Sequence, residues 1–218
     1  MFSGNKITDV TFLTPLGERV GERGVLAIIK YNAGNVQSVL YALKRLGYKA
    51  IITDDENELR KADKIIFPGV GNARAAMESL QQTGLDKIIP ALTQPVLGIC
   101  VGMQLLCNYS EENDTECLGI IDTIVKKFPS QNGIKVPQMG WNSIYNYQSA
   151  LLKGLPENAF VYYVHSYFAM LCDATVATTN YVLPYSAIIQ KNNFYGVQFH
   201  TEKSAEVGDK ILSNFLEL

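Results

Sequence analysis

At 218 residues, with 47% hydrophobic and 18% charged side chains, the chain is long enough to bury one sizeable core, and no linker-like stretch or shift in composition divides it. A net charge of -2 without a basic stripe argues against a nucleic-acid partner; short, interrupted apolar runs argue against a membrane span or signal peptide, so a cytoplasmic location is expected. Four cysteines without C-x-x-C spacing, and two histidines, point to free thiols in a reducing compartment rather than a disulfide framework or a zinc site.

Residues 1–24 hold a short echo, Gly17-Glu18-Arg19-Val20 then Gly21-Glu22-Arg23-Gly24, and are read as an N-terminal extension: an extra hairpin, an ordered tail or the product of an upstream start. Residues 25–218 then form the one expected domain. The apolar run Val25 to Ile29 has the pattern of a strand buried on both faces of a parallel sheet. Val36, Val39, Leu40, Leu43 and Leu46 recur at helical spacing, with Asn35 as cap and Gly47 as stop. A second strand is predicted at Lys49 to Thr53, a short helix at Glu56 to Lys61, and a third strand at Lys64 to Phe67 that runs into Pro68-Gly69-Val70-Gly71. Helical stretches at Ala73 to Gln82 and Leu85 to Leu92 precede a fourth strand. Strands alternating with helices in this way imply a three-layer α/β fold with right-handed crossovers and a mostly parallel central sheet. Beyond Glu111 helices become scarce. Strands are predicted at Thr123 to Phe128, Asn142 to Tyr145, Phe160 to Val164, Thr175 to Asn180, Ala187 to Gln190 and Phe194 to Phe199, which adds antiparallel or mixed pairing in the second half. Ala205 to Leu216 closes the chain as an amphipathic helix.

The fourth strand, within Pro95 to Gln104, reaches Cys100 between Gly98 and Gly102, and helix formers follow at Met103 to Leu106. Strand, sharp turn and helix make the layout of a nucleophile elbow with cysteine in place of serine, the glycines letting the backbone bend and a substrate approach. At a helix N-terminus the free N–H groups favour the reactive thiolate. The bland alternative is a buried structural cysteine.

A cysteine nucleophile needs a proton acceptor, and the chain offers His165 and His200. His200 is favoured because Glu202 follows two residues later, and extended geometry would put both side chains on one side. His165 has no acidic residue within two positions, and either histidine could be a hydrogen-bonded structural one. Gly69-Val70-Gly71 lies at another strand end, where its N–H groups, with that of Val101, can face a developing oxyanion; alone, Pro-Gly-x-Gly is equally an ordinary turn. Both stretches fall at carboxyl ends of strands, where open α/β sheets bind ligands. The set suits acyl transfer, in which a thiolate attacks a carboxamide or ester carbonyl and water releases the thioester.

Gly98-Ile99-Cys100-Val101-Gly102-Met103-Gln104 and Gly196-Val197-Gln198-Phe199-His200-Thr201-Glu202-Lys203-Ser204 resemble the two signature stretches of class I glutamine amidotransferases. Tyr31-Asn32-Ala33-Gly34-Asn35, Pro68-Gly69-Val70-Gly71, Val136-Pro137-Gln138-Met139-Gly140-Trp141-Asn142 and Val164-His165-Ser166-Tyr167 resemble segments of the glutaminase subunits of imidazole glycerol phosphate synthases, which act in histidine biosynthesis. The likeness covers residues 25–218.

The resemblance implies a flavodoxin-like class I glutamine amidotransferase fold, glutamine as substrate and no cofactor. By it, Cys100 forms a γ-glutamyl thioester, and His200, oriented by Glu202, protonates the departing ammonia and then activates water. Gly69, Gln104, Ser166 and Tyr167 match positions that hold glutamine. Val70, Gly71 and Val101 match the oxyanion turn, which in the family rearranges when the partner docks. The implied partner is a (β/α)8 cyclase subunit, in a heterodimer, which uses the ammonia in converting its ribulosyl-aminoimidazole carboxamide substrate to imidazole glycerol phosphate and aminoimidazole carboxamide ribotide. Asn32, Asn35, Gln138 and Trp141 lie in stretches near that interface, although Trp141 can equally be a core aromatic.

Thr201 stands where the family usually has proline, Lys30 and Asn32 replace aspartate and glycine, and Gln138 replaces a common histidine. None of these removes a catalytic group. The competing readings are a paralogous amidotransferase subunit feeding another synthase, such as one modifying a surface sugar; a cysteine peptidase or deglycase-like protein, in which histidine commonly follows the nucleophile where this chain has Val101; and a non-catalytic scaffold, which has no use for an activated thiol.

Overall fold

The computed structural model describes residues 24–32, 35–130 and 132–218; the expected N-terminal extension, Gly24 apart, lies outside the described residues. The first half alternates as expected: β1 (Leu26–Ile29), α1 (Val36–Arg45), β2 (Ile51–Thr53), α2 (Glu56–Lys61), β3 (Lys64–Gly69), α3 (Ala73–Thr83), α4 (Leu85–Ile88), β4 (Val96–Cys100) and α5 (Val101–Leu105). The second half is strand-rich, with β5 (Cys107–Ser110), β6 (Thr115–Glu116), β7 (Ile121–Lys127), β8 (Gln138–Ser143), β9 (Phe160–His165), β10 (Tyr167–Ala169), β11 (Thr175–Asn180), β12 (Pro184–Lys191), β13 (Phe194–Val197) and the closing α6 (Ala205–Leu216).

Seven strands form the main sheet in the order β11-β12-β13-β4-β3-β1-β2. The five from β2 to β13 pair in parallel, and β12 and β11 extend them antiparallel. With β13 as fifth strand this is the 2-1-3-4-5 order of flavodoxin-like sheets. β4 sits between β3 and β13, and all five of its residues are buried, which is why its sequence is a continuous apolar run instead of an alternating one.

Local chemistry sets the helices. Asn35 Oδ1 accepts from Ser38 N at the start of α1, which buries Val39, Ala42 and Leu43, and Gly47 takes φ 77° just past its end. α6 buries Ile211, Leu212 and Phe215, each contributing roughly 1.5–3 kcal/mol. Gly208 lets α6 lie directly against the carbonyl of Thr201 in a 3-10 turn, Thr201–Lys203, so the last helix braces the segment that carries His200 and Glu202.

A second sheet runs β10-β7-β5-β6, and β8 pairs with β9 alone. Three of these strands were not expected from the sequence. β5 follows α5 almost without a break and is half polar, β6 has two residues, and β10 begins after a one-residue interruption at Ser166 where the chain leaves β9 for the other sheet. The strand expected at Asn142 to Tyr145 starts earlier, at Gln138, and the strand expected to reach Phe199 ends at Val197.

Candidate active site

Parallel pairing of β3, β4 and β13 brings three distant segments to one edge of the sheet. Gly69 pairs with Cys100, and Val197 pairs with Ile99, so the chain after β13 rises beside the cysteine. Cys100 adopts φ 54°, ψ -112°, a left-handed conformation that turns the chain abruptly from strand into helix. Space for that turn comes from missing side chains. A carbon on Gly98 would strike the backbone of Gly102 and Met103, and one on Gly69 would strike Gly102 N, Val101 and the Tyr31 hydroxyl. The Tyr31 hydroxyl donates to Pro68 O at 2.6 Å and fastens the end of β3.

Cys100 opens into a cavity of about 360 Å³ lined by Val70, Gly71, Val101, Gln104, Ser166, Tyr167 and His200. Two charged residues join them at the wall, Glu112 and Lys203. His200 Nδ1 is 2.8 Å from Glu202 Oε1, and the ring lines the cavity into which Cys100 opens. Burial works against a charged ring, yet the polar influence of Cys100 and of the Glu202 carboxylate outweighs it and pushes the imidazole up to about 10. The ring is therefore charged at neutral pH, on the wall of the cavity that also holds Cys100.

His165 reaches the same cavity: its Nδ1 is 2.8 Å from Tyr167 O, to which it donates, and Nε2 lies 3.2 Å from the Tyr185 hydroxyl. Burial pushes it down to about 4, so it is neutral. The chemistry this arrangement permits is nucleophilic attack by sulfur with proton return by one imidazole.

Residues 27–218 match the profile of the family described as "Glutamine amidotransferase class-I". The chain belongs to that family. Among its relatives, the imidazole glycerol phosphate synthase subunit HisH of Bacteroides fragilis (strain YCH46) is 55% identical over 194 residues, covering 88% of this chain and 99% of that one. The subunit of the same name from Bacteroides thetaiotaomicron is 54% identical over 194 residues, with the same coverage of each chain. The solved structure of PurLQS from Thermotoga maritima shares the fold at a TM-score of 0.66 and 17% identity, over 89% of this chain and 98% of that one.

In this amidotransferase the cavity gathers Cys100, His200, Val70, Gly71, Val101, Gln104, Ser166 and Tyr167, with Glu202 behind the histidine. Gly69 is not on the wall; it serves the packing of the elbow. The His200–Glu202 contact arises differently from expectation. The two residues are not on an extended strand: Glu202 lies in the 3-10 turn, and the turn swings it back to the ring.

The residues expected near a partner lie away from the cavity wall. Asn35 caps α1, and Asn32 N donates to Ser79 Oγ at 3.1 Å. Gln138 points inward, 3% exposed, accepting from the Tyr185 hydroxyl at 2.7 Å. Trp141 is not a core aromatic: it is 52% exposed and packs edge-on to Tyr162. Met139, two residues earlier on the same face of β8, is 65% exposed and was missed, although strand alternation from Trp141 would have marked it. Glu112 was missed because nothing in Glu111-Glu112 marks one carboxylate. It caps α3 by accepting from Ala73 N at 2.8 Å, and burial pushes its carboxyl up against the pull of that hydrogen bond.

Proposed function

We propose that the protein hydrolyses glutamine to glutamate and ammonia through a cysteinyl thioester, and supplies the ammonia to the cyclase subunit of imidazole glycerol phosphate synthase in histidine biosynthesis. The observation that carries this reading is the meeting of Cys100 with the His200–Glu202 pair in one cavity, in a chain 55% identical to a HisH subunit.

In this mechanism the Cys100 thiolate attacks the side-chain carbonyl carbon of glutamine, and the C=O electron pair moves onto oxygen. The N–H groups of Gly71 and Val101, with Val70 beside them, are the proposed oxyanion donors, each such bond worth about 3 kcal/mol in the transition state. The charged His200 gives its proton to the amide nitrogen, the C–N bond breaks, and ammonia leaves. The now neutral ring takes a proton from water, which attacks the thioester; glutamate departs and the thiolate returns. Glu202 keeps the ring oriented throughout and stabilises its charged form each time it forms. Gln104, Ser166 and Tyr167 bind the substrate, Gly69 shapes the elbow behind them, and the Glu112 carboxylate suits the substrate ammonium.

Residues 25–218 act as the amidotransferase domain, in a heterodimer with a (β/α)8 cyclase in the cytoplasm. The exposed pair Met139 and Trp141 on β8, with Asn32 and Asn35 at the start of α1, forms the proposed docking side, and Gln138 supports it from beneath. No described helix is long and apolar enough to cross a membrane. The test is ammonia release from glutamine, measured alone and with the cyclase and its ligand. Strong activation by the cyclase and loss of activity in Cys100→Ala are expected; unchanged ammonia release by that variant overturns the reading.

A further inference from the structure

We propose that Gln198 is a positioning residue for the nucleophile: its buried side-chain amide turns an N–H toward Cys100 Sγ, and a chain of hydrogen bonds running through Gln104 and the Tyr167 carbonyl to His165 holds it in that orientation. The inference rests on the proposed role of Cys100.

Gln198 is fully buried between β13 and His200, and its Nε2 lies 3.9 Å from Cys100 Sγ. On its other side, Gln198 Oε1 accepts from Gln104 Nε2 at 3.1 Å, and Gln104 Nε2 also donates to Tyr167 O at 2.8 Å. A main-chain carbonyl can only accept, so Gln104 must present nitrogen to it. Gln198 must then present oxygen to that nitrogen, which leaves its own N–H groups for the sulfur. The Tyr167 carbonyl is itself held by His165 Nδ1 at 2.8 Å. The Tyr185 hydroxyl, 3.2 Å from His165 Nε2, gives its proton to Gln138 Oε1, so the relay ends at His165. Every side chain in the relay from His165 to Gln198 is buried.

The sulfur thus sits between two opposite influences. Val164 O, 4.0 Å away, accepts from the neutral thiol, whereas the Gln198 N–H bonds best to the thiolate. Donation to the charged form favours it and keeps Sγ from rotating toward Val164. The 3.9 Å separation is long and is expected to shorten as charge gathers on sulfur.

The test is the pH profile of Cys100 alkylation by iodoacetamide, with peptide mass spectrometry to separate Cys100 from the other three cysteines. Gln198→Glu keeps an oxygen facing Gln104 and replaces the donor with a carboxylate oxygen. The profile midpoint is expected to rise by about one pH unit. Glutaminase kcat should fall by about tenfold, with KM for glutamine changed less than about twofold, as befits a group that acts on the sulfur and not on the substrate. Gln198→Met, which removes both polar ends, should move the midpoint up by about half as much. A profile that superimposes on the parent in either folded variant overturns the proposal. Should neither variant fold, the parent decides: the Gln198 side-chain 15N resonance is expected to titrate with the alkylation midpoint, and a flat resonance overturns the proposal. A parent protein whose Cys100 is unreactive and which releases no ammonia would instead overturn the nucleophile assignment itself.

Discussion

Gly102, in the first turn after Cys100, rests directly against the main-chain oxygen of Phe67 on β3, closer than any side-chain carbon could approach. Strand and elbow helix are therefore locked by an absence. Gly102→Ala should push α5 off β3, cost about 1–3 kcal/mol of stability, and displace Cys100 enough to remove most glutaminase activity. Urea unfolding and an ammonia assay check both outcomes.

The conformation of Cys100, φ 54° and ψ -112°, is one that glycine adopts without penalty and other residues do not. Cys100→Gly should therefore be more stable than Cys100→Ala by about 1 kcal/mol, and both should be inactive. Thermal unfolding of the two variants side by side measures the strain carried by the nucleophile.

The two histidines should shape stability against pH with opposite sign. His200, raised to about 10 in the fold from an ordinary value near 6.5, contributes stability that is complete below pH 6.5 and is lost as pH rises toward 10. His165, lowered to about 4, contributes stability that is present above pH 6.5 and is lost as pH falls toward 4, by roughly 3 kcal/mol at most. His200→Asn should flatten the alkaline limb of a stability profile, and His165→Asn the acid limb, in unfolding midpoints measured from pH 4 to 10.

Trp141 and Met139 leave large apolar surfaces in water. Trp141→Ala should change the stability of the isolated chain by less than about 1 kcal/mol, yet weaken cyclase binding by about 2 kcal/mol, some thirtyfold in Kd. Titration calorimetry against the cyclase measures it, and basal ammonia release should stay within twofold.

Residue patterns carried the fold well where burial was simple. The apolar run of β4, the caps of α1 and the period of α6 reflect a strand buried on two faces and helices buried on one. They failed where pairing was decided at long range: β5, β6 and β10 are short, partly polar strands that exist because neighbours in the second sheet accept their hydrogen bonds. The site followed the same division. Cys100 between two glycines was visible as an elbow, but its nearness to a histidine 100 residues later depends on β13 lying beside β4, which no local period encodes. Glu202 was paired with His200 by a strand argument, whereas a 3-10 turn makes the contact. Gln198 stood in plain view inside a recognised stretch; only the directions of the hydrogen bonds around it give it work.

The bond from the Tyr31 hydroxyl to Pro68 O adds one more consequence. Tyr31 is buried at the exit of β1, and the next residue, Asn32, is tied to Ser79 on α3. Pro68 immediately precedes Gly69, and Gly71, at φ 90°, has open space where a side chain would be. The Tyr31 hydroxyl thus ties the exit of β1, and through Asn32 the α3 helix, to the strand end that leads into the proposed oxyanion turn, so that three segments far apart in the sequence share one anchor beside the cavity.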